Sequence, residues 1–182
     1  MLPSPWIVRW THLLKADADV LDVACGAGRH TNWFATHGHR VTGIDRDLYA
    51  ALQVSNSTML IQADIENEPW PLTLNGQPRQ FDAVIVTNYL WRPLMPTLLR
   101  SVAPRGVLLY ETFAQGNETV GRPTRADFLL RPGELLQYCA DLEVVAYEHG
   151  FLDAPERFVQ RIAAVARSAP STKPNMVLRF PL

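Results

Sequence analysis

One short stretch of the chain combines residue types that could hold a small ligand: "VLDVACGAGRHT", residues 20–31. Asp22 lies near the end of an apolar run, and Gly26 and Gly28 follow it closely. Small residues let the backbone approach a ligand, and glycine adopts dihedral angles that are closed to other residues. A helix after such a turn presents free N–H groups, which favour negative or polar ligand atoms. The stretch therefore predicts a ligand-binding turn, in which the Asp22 carboxylate suits an ammonium group better than a pyrophosphate.

Two common phosphate-binding patterns are absent from the sequence. The turn lacks the third glycine of the dinucleotide pattern G-x-G-x-x-G, because Thr31 stands at that position. The P-loop pattern G-x-x-x-x-G-K-[ST] does not occur either. Asp45 follows Asp22 by 23 positions, near the spacing at which an acid accepts hydrogen bonds from ribose hydroxyls in nucleotide-binding sheets. Asp64 could accept a hydrogen bond from an adenine amino group, with Ile65 against the ring.

The elements that position these residues alternate between short apolar strands and helices. The predicted strands are Val20–Ala24, Val41–Ile44, Met59–Gln62, Phe81–Asn88 and Val107–Thr112. The predicted helices are Ser4–Lys15, Arg29–His37 with Gly38 as its cap, Arg46–Val54, Pro93–Val102 before an "APRG" turn, and Pro132–Ala140 with Leu135, Leu136 and Cys139 facing inward. This alternation predicts a parallel sheet covered on both faces. Two last strands, Leu142–Glu148 and Phe158–Arg167, are separated by a short loop that is typical of a hairpin.

Five stretches in chain order resemble the motifs of class I S-adenosylmethionine-dependent methyltransferases: "VLDVACGAG", "VTGIDRD", "LIQADIE", "FDAVIVTNYL" and "APRGVLLYET". The resemblance covers about residues 18–167, and Ala24 replaces the first glycine of the family's first motif. It implies an α/β, Rossmann-like doubly wound sheet of seven strands, mostly parallel, with a C-terminal antiparallel β-hairpin. It also implies S-adenosyl-L-methionine as cofactor and no metal. The cofactor-binding residues expected on this basis are Asp22, Ala24, Cys25, Gly26, Ala27, Gly28, Asp45, Arg46, Asp64, Ile65 and Asn88.

The segment "NYLWRP", residues 88–93, follows the fourth predicted strand, where this fold places the substrate beside the methyl group. It differs from the N-P-P-Y type motif that amino-directed nucleic-acid methyltransferases carry there. Asn88, Tyr89 and Arg92 are therefore expected to line the reaction chamber, where they would position the acceptor and not act as acid or base. The alternative is a helix-entry segment in which Tyr89 and Trp91 are packing residues.

Several other side chains have a structural alternative to a functional role. Asp22 and Asp45 could each cap the following helix, and Asp64 could be only a turn residue. His30 is expected at a solvent-facing helix position. Small, inert packing is expected of Cys25, and a core position of Cys139. Glu111 could be a base or could be buried against an arginine.

Residues 113–131 form a long and mostly irregular connection, and such loops are usually functional or disordered. We expect this segment to form part of the substrate gate, with Phe128 and Leu129 packed onto the domain. Arg122, Arg125 and Arg131 could attract an anionic acceptor group. The alternative is compositional, because fifteen of the seventeen basic residues in the chain are arginines.

The composition of the 182-residue chain is that of a soluble globular protein, with 47% apolar and 19% charged residues. We expect one methyltransferase-like domain over residues 1–182, with an N-terminal helix in 1–16, a core in 17–167 and an irregular tail in 168–182. A formal net charge of -1 gives no general attraction to nucleic acid or to an anionic membrane. Two cysteines exclude a disulfide scaffold and disfavour a zinc site.

The sequence shows no signal peptide and no apolar run long enough for a membrane span, so a cytoplasmic location is expected. The expected function is S-adenosylmethionine-dependent methyl transfer to a small-molecule acceptor, with no membrane partner and nucleic acid disfavoured. The alternatives are a non-catalytic S-adenosylmethionine-binding partner subunit, a methyltransferase acting on protein or RNA, and a nucleotide-dependent reductase with a similar sheet.

Overall fold

A seven-stranded sheet forms the centre of the computed structural model, which describes residues 1–49, 58–168 and 179–181. The described residues form nine strands: β1 Asp19–Val23, β2 Arg40–Asp45, β3 Thr58–Gln62, β4 Thr73–Leu74, β5 Gln77–Pro78, β6 Phe81–Thr87, β7 Val102–Phe113, β8 Glu143–Asp153 and β9 Glu156–Val165. The main sheet has the order β3-β2-β1-β6-β7-β9-β8, and β4 pairs with β5 in a separate small hairpin.

The first five strands of the main sheet run parallel, whereas β9 is antiparallel to both β7 and β8. The predicted doubly wound sheet with a C-terminal antiparallel hairpin is therefore confirmed. The chain winds outward from β1 to β2 and β3 on one side, and from β6 onward on the other side. In such sheets the crevice at this reversal, at the carboxyl ends of the strands, is the usual ligand site.

Short helices cover the two faces of the sheet: α1 Pro5–Trp10, α2 Arg29–Thr36, α3 Met95–Arg100 and α4 Glu134–Tyr138. The hydroxyl of Ser4 caps α1 by accepting a hydrogen bond from the Trp6 amide. One buried cluster packs Trp6, Ile7 and Trp10 of α1 beside Phe34 of α2. A second cluster lies under α3 and α4 on the opposite face. The strands between these clusters are buried on both sides, which explains their nearly continuous apolar sequences.

The predicted "APRG" turn is instead a bulge within β7. Phe81 of β6 pairs with Val102, and Ala83 pairs with Val107, so the residues between Val102 and Val107 have too few partners on β6. Arg105 absorbs the excess length by adopting a φ of +64°. The helix predicted to reach Val102 ends earlier, because this residue already belongs to the strand.

Other predicted boundaries also differ from the structure. The helix predicted over Ser4–Lys15 ends at Trp10 and is followed by a 3-10 turn, Thr11–Leu13. The loop predicted between the last two strands is mostly strand, since β8 extends to Asp153 and β9 begins at Glu156. The helix predicted from Pro132 begins at Glu134, and Leu136 is exposed instead of facing inward. The predicted helix Arg46–Val54 is not helical over residues 46–48, and residues 50–54 lie outside the described part of the chain.

The predicted irregular tail, residues 168–182, lies largely outside the described residues. Phe180 packs against the core cluster beneath α1, and the Pro181 carbonyl lies 3.1 Å from His12 Nε2. Within the described ranges, every helix is too short or too polar to cross a membrane.

Candidate functional site

A cavity of about 400 Å³ opens at the carboxyl ends of four neighbouring strands. Ala24 follows β1, Asp45 ends β2, Ala63 follows β3, and Asn88 follows β6. Parallel strands bring their carboxyl ends to one edge, so these residues meet although they are far apart in sequence. The complete lining is Ala24, Asp45, Arg46, Ala63, Asp64, Ile65, Glu66, Asn88, Tyr89 and Phe128.

The turn between β1 and α2 has an unusual backbone. Ala24, Gly26 and Gly28 have φ angles of +51°, +54° and +73°, a region that favours glycine. A Cβ atom at Gly26 would meet no protein atom within 4 Å, so this side of the turn is open. The amide of Cys25 donates a hydrogen bond to the Ile44 carbonyl, which joins the turn to β2. Burial raises the pKa of the Cys25 thiol to about 12, in agreement with an inert packing role.

The Asp45 carboxylate connects the turn with the cavity. Its Oδ2 atom accepts a hydrogen bond of 2.8 Å from the Gly26 amide, and Oδ1 accepts one of 3.0 Å from the Asp47 amide. A carboxylate can accept about four hydrogen bonds, so further acceptor positions remain for ligand hydroxyls. Arg46 lies beside it in the cavity wall.

Asp22 lies behind the turn and is 1% exposed. Its Oδ2 accepts a hydrogen bond of 2.6 Å from the Thr31 hydroxyl on the first turn of α2. The alternative role of Asp22 as a helix cap is not seen, because Gly28 is the N-cap residue of α2, without a side-chain cap hydrogen bond. Its Oδ1 is buried and has no hydrogen-bond partner among the described residues. Burial raises the pKa of this carboxyl to about 6. An unpartnered buried oxygen is costly, and a nearby cationic group would satisfy it.

Asp64 folds the loop after β3. Its carboxylate accepts hydrogen bonds from the Glu66 amide and from the amide and side chain of Asn67, at 2.9–3.2 Å. The turn role that was the alternative for Asp64 is therefore present, although the residue also lines the cavity. Ile65, 9% exposed, supplies an apolar wall.

Asn88 and Tyr89 both reach the cavity from the end of β6. Asn88 has a φ of +54°, and its amide donates to the Glu111 carbonyl on β7. The Tyr110 hydroxyl donates to the Tyr89 carbonyl at 2.8 Å, which fixes this backbone. The Tyr89 hydroxyl is buried without a hydrogen-bond partner in the described part of the chain, and burial raises its pKa.

The expectation that Arg92 lines the reaction chamber is not met. Its guanidinium points to another segment, where it binds the Glu134 carboxylate at 2.7 and 3.0 Å. It also donates to the carbonyls of Asp127 and Leu129, at 2.7 and 2.9 Å. These four hydrogen bonds use most of the donors of the side chain.

The predicted cofactor residues fall into two groups. Those in the cavity wall are Ala24, Asp45, Arg46, Asp64, Ile65 and Asn88, whereas Asp22, Cys25, Gly26, Ala27 and Gly28 shape the turn beside it without lining it. Sequence reasoning missed Ala63, Glu66 and Phe128. Ala63 and Glu66 lie within the stretch "LIQADIE", so this motif could have indicated them. The sequence predicts that Phe128 packs onto the domain, but no local signal links this distant residue to the cavity.

His30 is buried and does not face solvent as predicted. Its Nε2 accepts a hydrogen bond of 3.0 Å from the Ser4 amide, and its Nδ1 lies 3.3 Å from the Thr87 hydroxyl. Burial lowers the pKa of this imidazole to about 3, so it is neutral. The prediction failed because the segment before α1 covers the start of α2, and this contact is not visible in the local pattern.

Glu111 is buried against arginines, which was one of its two expected roles. Its carboxylate lies 3.4 Å from Arg161 and 3.7 Å from Arg157, and it accepts a hydrogen bond from the Ser4 hydroxyl. Of the arginines in residues 113–131, Arg131 binds Glu134, and Arg125 pairs with Asp127. In the described ranges, no three His, Cys, Asp or Glu side chains are grouped so that they could hold a metal ion.

The chain is similar to known methyltransferases in sequence and in fold. Residues 20–106 match the family described as "Methyltransferase domain". The Bacillus subtilis protein named "Putative methyltransferase YqeM" is 30% identical over 122 residues, which cover 57% of this chain and 47% of that protein. The chain thus spans about half the length of this curated relative.

Two solved structures show the extent of the fold similarity. TehB from Haemophilus influenzae has a TM-score of 0.73 at 18% identity, covering 91% of this chain and 63% of that chain. A SAM-dependent methyltransferase from Methanosarcina mazei has a TM-score of 0.67 at 15% identity, covering 93% of this chain and 100% of that chain. Residues 20–106 are thus similar to a methyltransferase-domain family, and the chain shares its fold with these two solved structures.

Proposed function

We propose that the chain binds S-adenosyl-L-methionine in the cavity at the sheet edge and transfers its methyl group to a small-molecule acceptor. The observation that carries this proposal is the position of Asp45. Its carboxylate ends β2, binds the Gly26 amide and faces the cavity beside the open turn after β1. Parallel sheets of this kind place a ribose-binding acid at this position.

The residues around the cavity fit the three parts of this cofactor. Asp45 would accept hydrogen bonds from the ribose hydroxyls, and Ile65 offers an apolar surface to the adenine ring. The open side of Gly26 leaves room for the methionine part, whose ammonium group would satisfy the unpartnered Oδ1 of Asp22. In each case the residue chemistry suits the ligand group.

When bound, the cofactor supplies a sulfonium methyl group that is already activated for in-line displacement. The protein residues then have to align the acceptor and exclude water. Asn88 and Tyr89 would contribute to alignment, because both line the cavity. A general base is needed only if the acceptor atom must lose a proton early.

The charge of the chain favours a small acceptor over RNA. The formal net charge of -1 gives no general attraction to RNA. Methyl transfer to a protein or RNA and a non-catalytic binding subunit are the alternatives. A non-catalytic subunit would be expected to have an altered ligand turn or to lack the acid at Asp45, whereas this chain has an intact turn and the acid.

Calorimetric titration with S-adenosylmethionine, S-adenosylhomocysteine and NADH tests the class of ligand. The proposal requires binding of the first two and not of NADH. Methyl transfer from labelled S-adenosylmethionine to a panel of small thiols, amines and phenols, with protein and RNA as further acceptors, then tests the reaction. Binding of NADH without binding of S-adenosylhomocysteine would refute the proposal. Cofactor binding with transfer only to protein or RNA would refute the small acceptor.

A further inference from the structure

Phe128 reaches the cavity from the connection between β7 and α4. It ends a short 3-10 turn, Ala126–Phe128, and is half-buried at the cavity wall. The Arg125 guanidinium lies 5.1 Å from the centre of its ring. Leu129 and Leu130, which follow it, are buried in the domain. Phe128 is thus an aromatic cavity residue that belongs to none of the five sequence motifs.

Arg92 holds the backbone on both sides of Phe128. Its guanidinium donates to the carbonyl of the preceding residue, Asp127, and to that of the following residue, Leu129. The same group is bound to Glu134 by two further hydrogen bonds. Burial alone would raise the pKa of Glu134, yet hydrogen bonds from Arg92 and from the Arg131 amide lower it to about 2.

Local hydrogen bonds close the 3-10 turn, from the Phe128 amide to the Arg125 carbonyl and from the Leu129 amide to the Ala126 carbonyl. Arg92 is the side chain that ties this turn to the loop after β6.

Farther from the cavity, the Leu130 amide donates to the Phe113 carbonyl, and the Gln115 amide donates to the Leu130 carbonyl. Residues 124–127 are exposed. Arg92 lies only four positions after Asn88 in the chain. The loop after β6 therefore lines the cavity through Asn88 and holds the backbone around Phe128 through Arg92.

We propose that Phe128 covers the purine ring of the bound ligand and that Arg92 is the residue that positions Phe128 for this contact. The inference rests on the proposed cofactor binding. The acid for the ribose, Asp45, and the apolar side chains Ile65 and Phe128 line the same cavity. An aromatic ring and a purine attract each other through their flat faces, independently of hydrogen bonds.

The test compares two ligands that share the purine but differ in the amino-acid part: S-adenosylhomocysteine and 5′-methylthioadenosine. Dissociation constants are measured by calorimetry for the wild type, Phe128→Ala, Arg92→Gln, Arg92→Lys and the double variant of Phe128→Ala with Arg92→Gln. Phe151→Ala is the matched control, because Phe151 is a partly exposed phenylalanine on β8 that does not line the cavity. Melting temperatures are recorded for all variants.

We expect Phe128→Ala to weaken both ligands equally, by about tenfold, the scale of one aromatic stacking contact. Arg92→Gln should weaken both, and Arg92→Lys should restore part of the loss. Because Arg92 acts through Phe128, the double variant should bind no more weakly than Phe128→Ala alone. A purely structural role of Arg92 would change the melting temperature without this non-additivity.

Unchanged affinity in Phe128→Ala overturns the inference, as does weakening of S-adenosylhomocysteine alone, since the contact would then be with the amino-acid part. Fully additive losses in the double variant overturn the positioning role of Arg92. A wild type that binds neither ligand refutes the proposed cofactor binding itself, and this result is distinct from all the others.

Discussion

Two carboxylates at the candidate site differ in their surroundings and therefore in their chemistry. Asp45 is partly exposed and accepts two backbone hydrogen bonds, so it can offer its remaining lone pairs to ligand hydroxyls. Asp22 is buried with one unpartnered oxygen, and its pKa is raised to about 6. The first suits a neutral polyhydroxyl group, and the second suits a cation.

Replacing Asp45 with Ala should weaken binding of S-adenosylhomocysteine by about 1–3 kcal/mol, the cost of losing hydrogen bonds to a charged group. Calorimetry on the folded variant measures this change. Asp47→Ala is the control, because Asp47 is an exposed acid two positions farther along that does not line the cavity. Equal affinity of Asp45→Ala and the wild type would exclude a ribose contact.

Binding of S-adenosylhomocysteine should tighten as the pH rises through about 6, because Asp22 is protonated below its raised pKa. The ligand ammonium favours the charged carboxylate, so binding at low pH must first remove the proton. In Asp22→Asn this pH dependence should be absent. Affinities measured at about pH 5 and about pH 7 decide the matter, and a dependence that persists in the variant would assign it to another group.

At the scale of elements, the turn between β1 and α2 depends on positive φ angles. Gly26→Ala introduces backbone strain of about 1–2 kcal/mol at such a position, and its Cβ would project into the open side of the turn. We therefore expect a modest loss of stability and a larger loss of ligand affinity. Denaturant unfolding and calorimetry measure the two effects separately.

Gly76 provides the matched control for this prediction. It has a φ of +73° and an equally open Cβ position, but lies in the turn of the small β4–β5 hairpin. Gly76→Ala should lose similar stability and keep the full affinity for S-adenosylhomocysteine. If both variants lose affinity to the same degree, the effect at Gly26 is one of folding and not of ligand contact.

The connection after β7 is anchored at both ends and exposed between them. Asn117 is buried and binds the Phe158 amide and the Pro123 carbonyl, whereas residues 124–127 are exposed. Hydrogen exchange should therefore be fast at residues 124–127 of the free protein and slower when S-adenosylhomocysteine is bound. Full protection without ligand, and no change on its addition, would indicate a static loop and not a gate.

At the scale of the whole molecule, α1 closes one face of the sheet. Ile7 is 0% exposed and belongs to the cluster between α1 and the strands. Ile7→Ala should lower the free energy of unfolding by about 2–5 kcal/mol, the range for a buried aliphatic truncation. Urea unfolding measures this loss. The partly exposed neighbour Val8 is the control, and Val8→Ala should change stability by less than about 1 kcal/mol.

The sequence alone determined the fold class and the group of acids at one sheet edge. Alternating apolar strands and helices force a parallel sheet, and a parallel sheet brings the ends of its strands together. Asp45 and Asp64 therefore had to meet near the turn at Gly26. Local patterns contain this information because strand direction follows from the order of elements.

Only the tertiary structure decided which more distant side chains complete the site. The burial of His30 depends on Ser4, a contact between segments that local periodicity does not link. The Arg92 guanidinium does not line the cavity, because it is bound by the Glu134 carboxylate and by two backbone carbonyls. Two of these hydrogen bonds also hold the backbone on both sides of Phe128, which lines the cavity. Such contacts depend on how complete elements pack, so they are fixed only when the whole chain has folded.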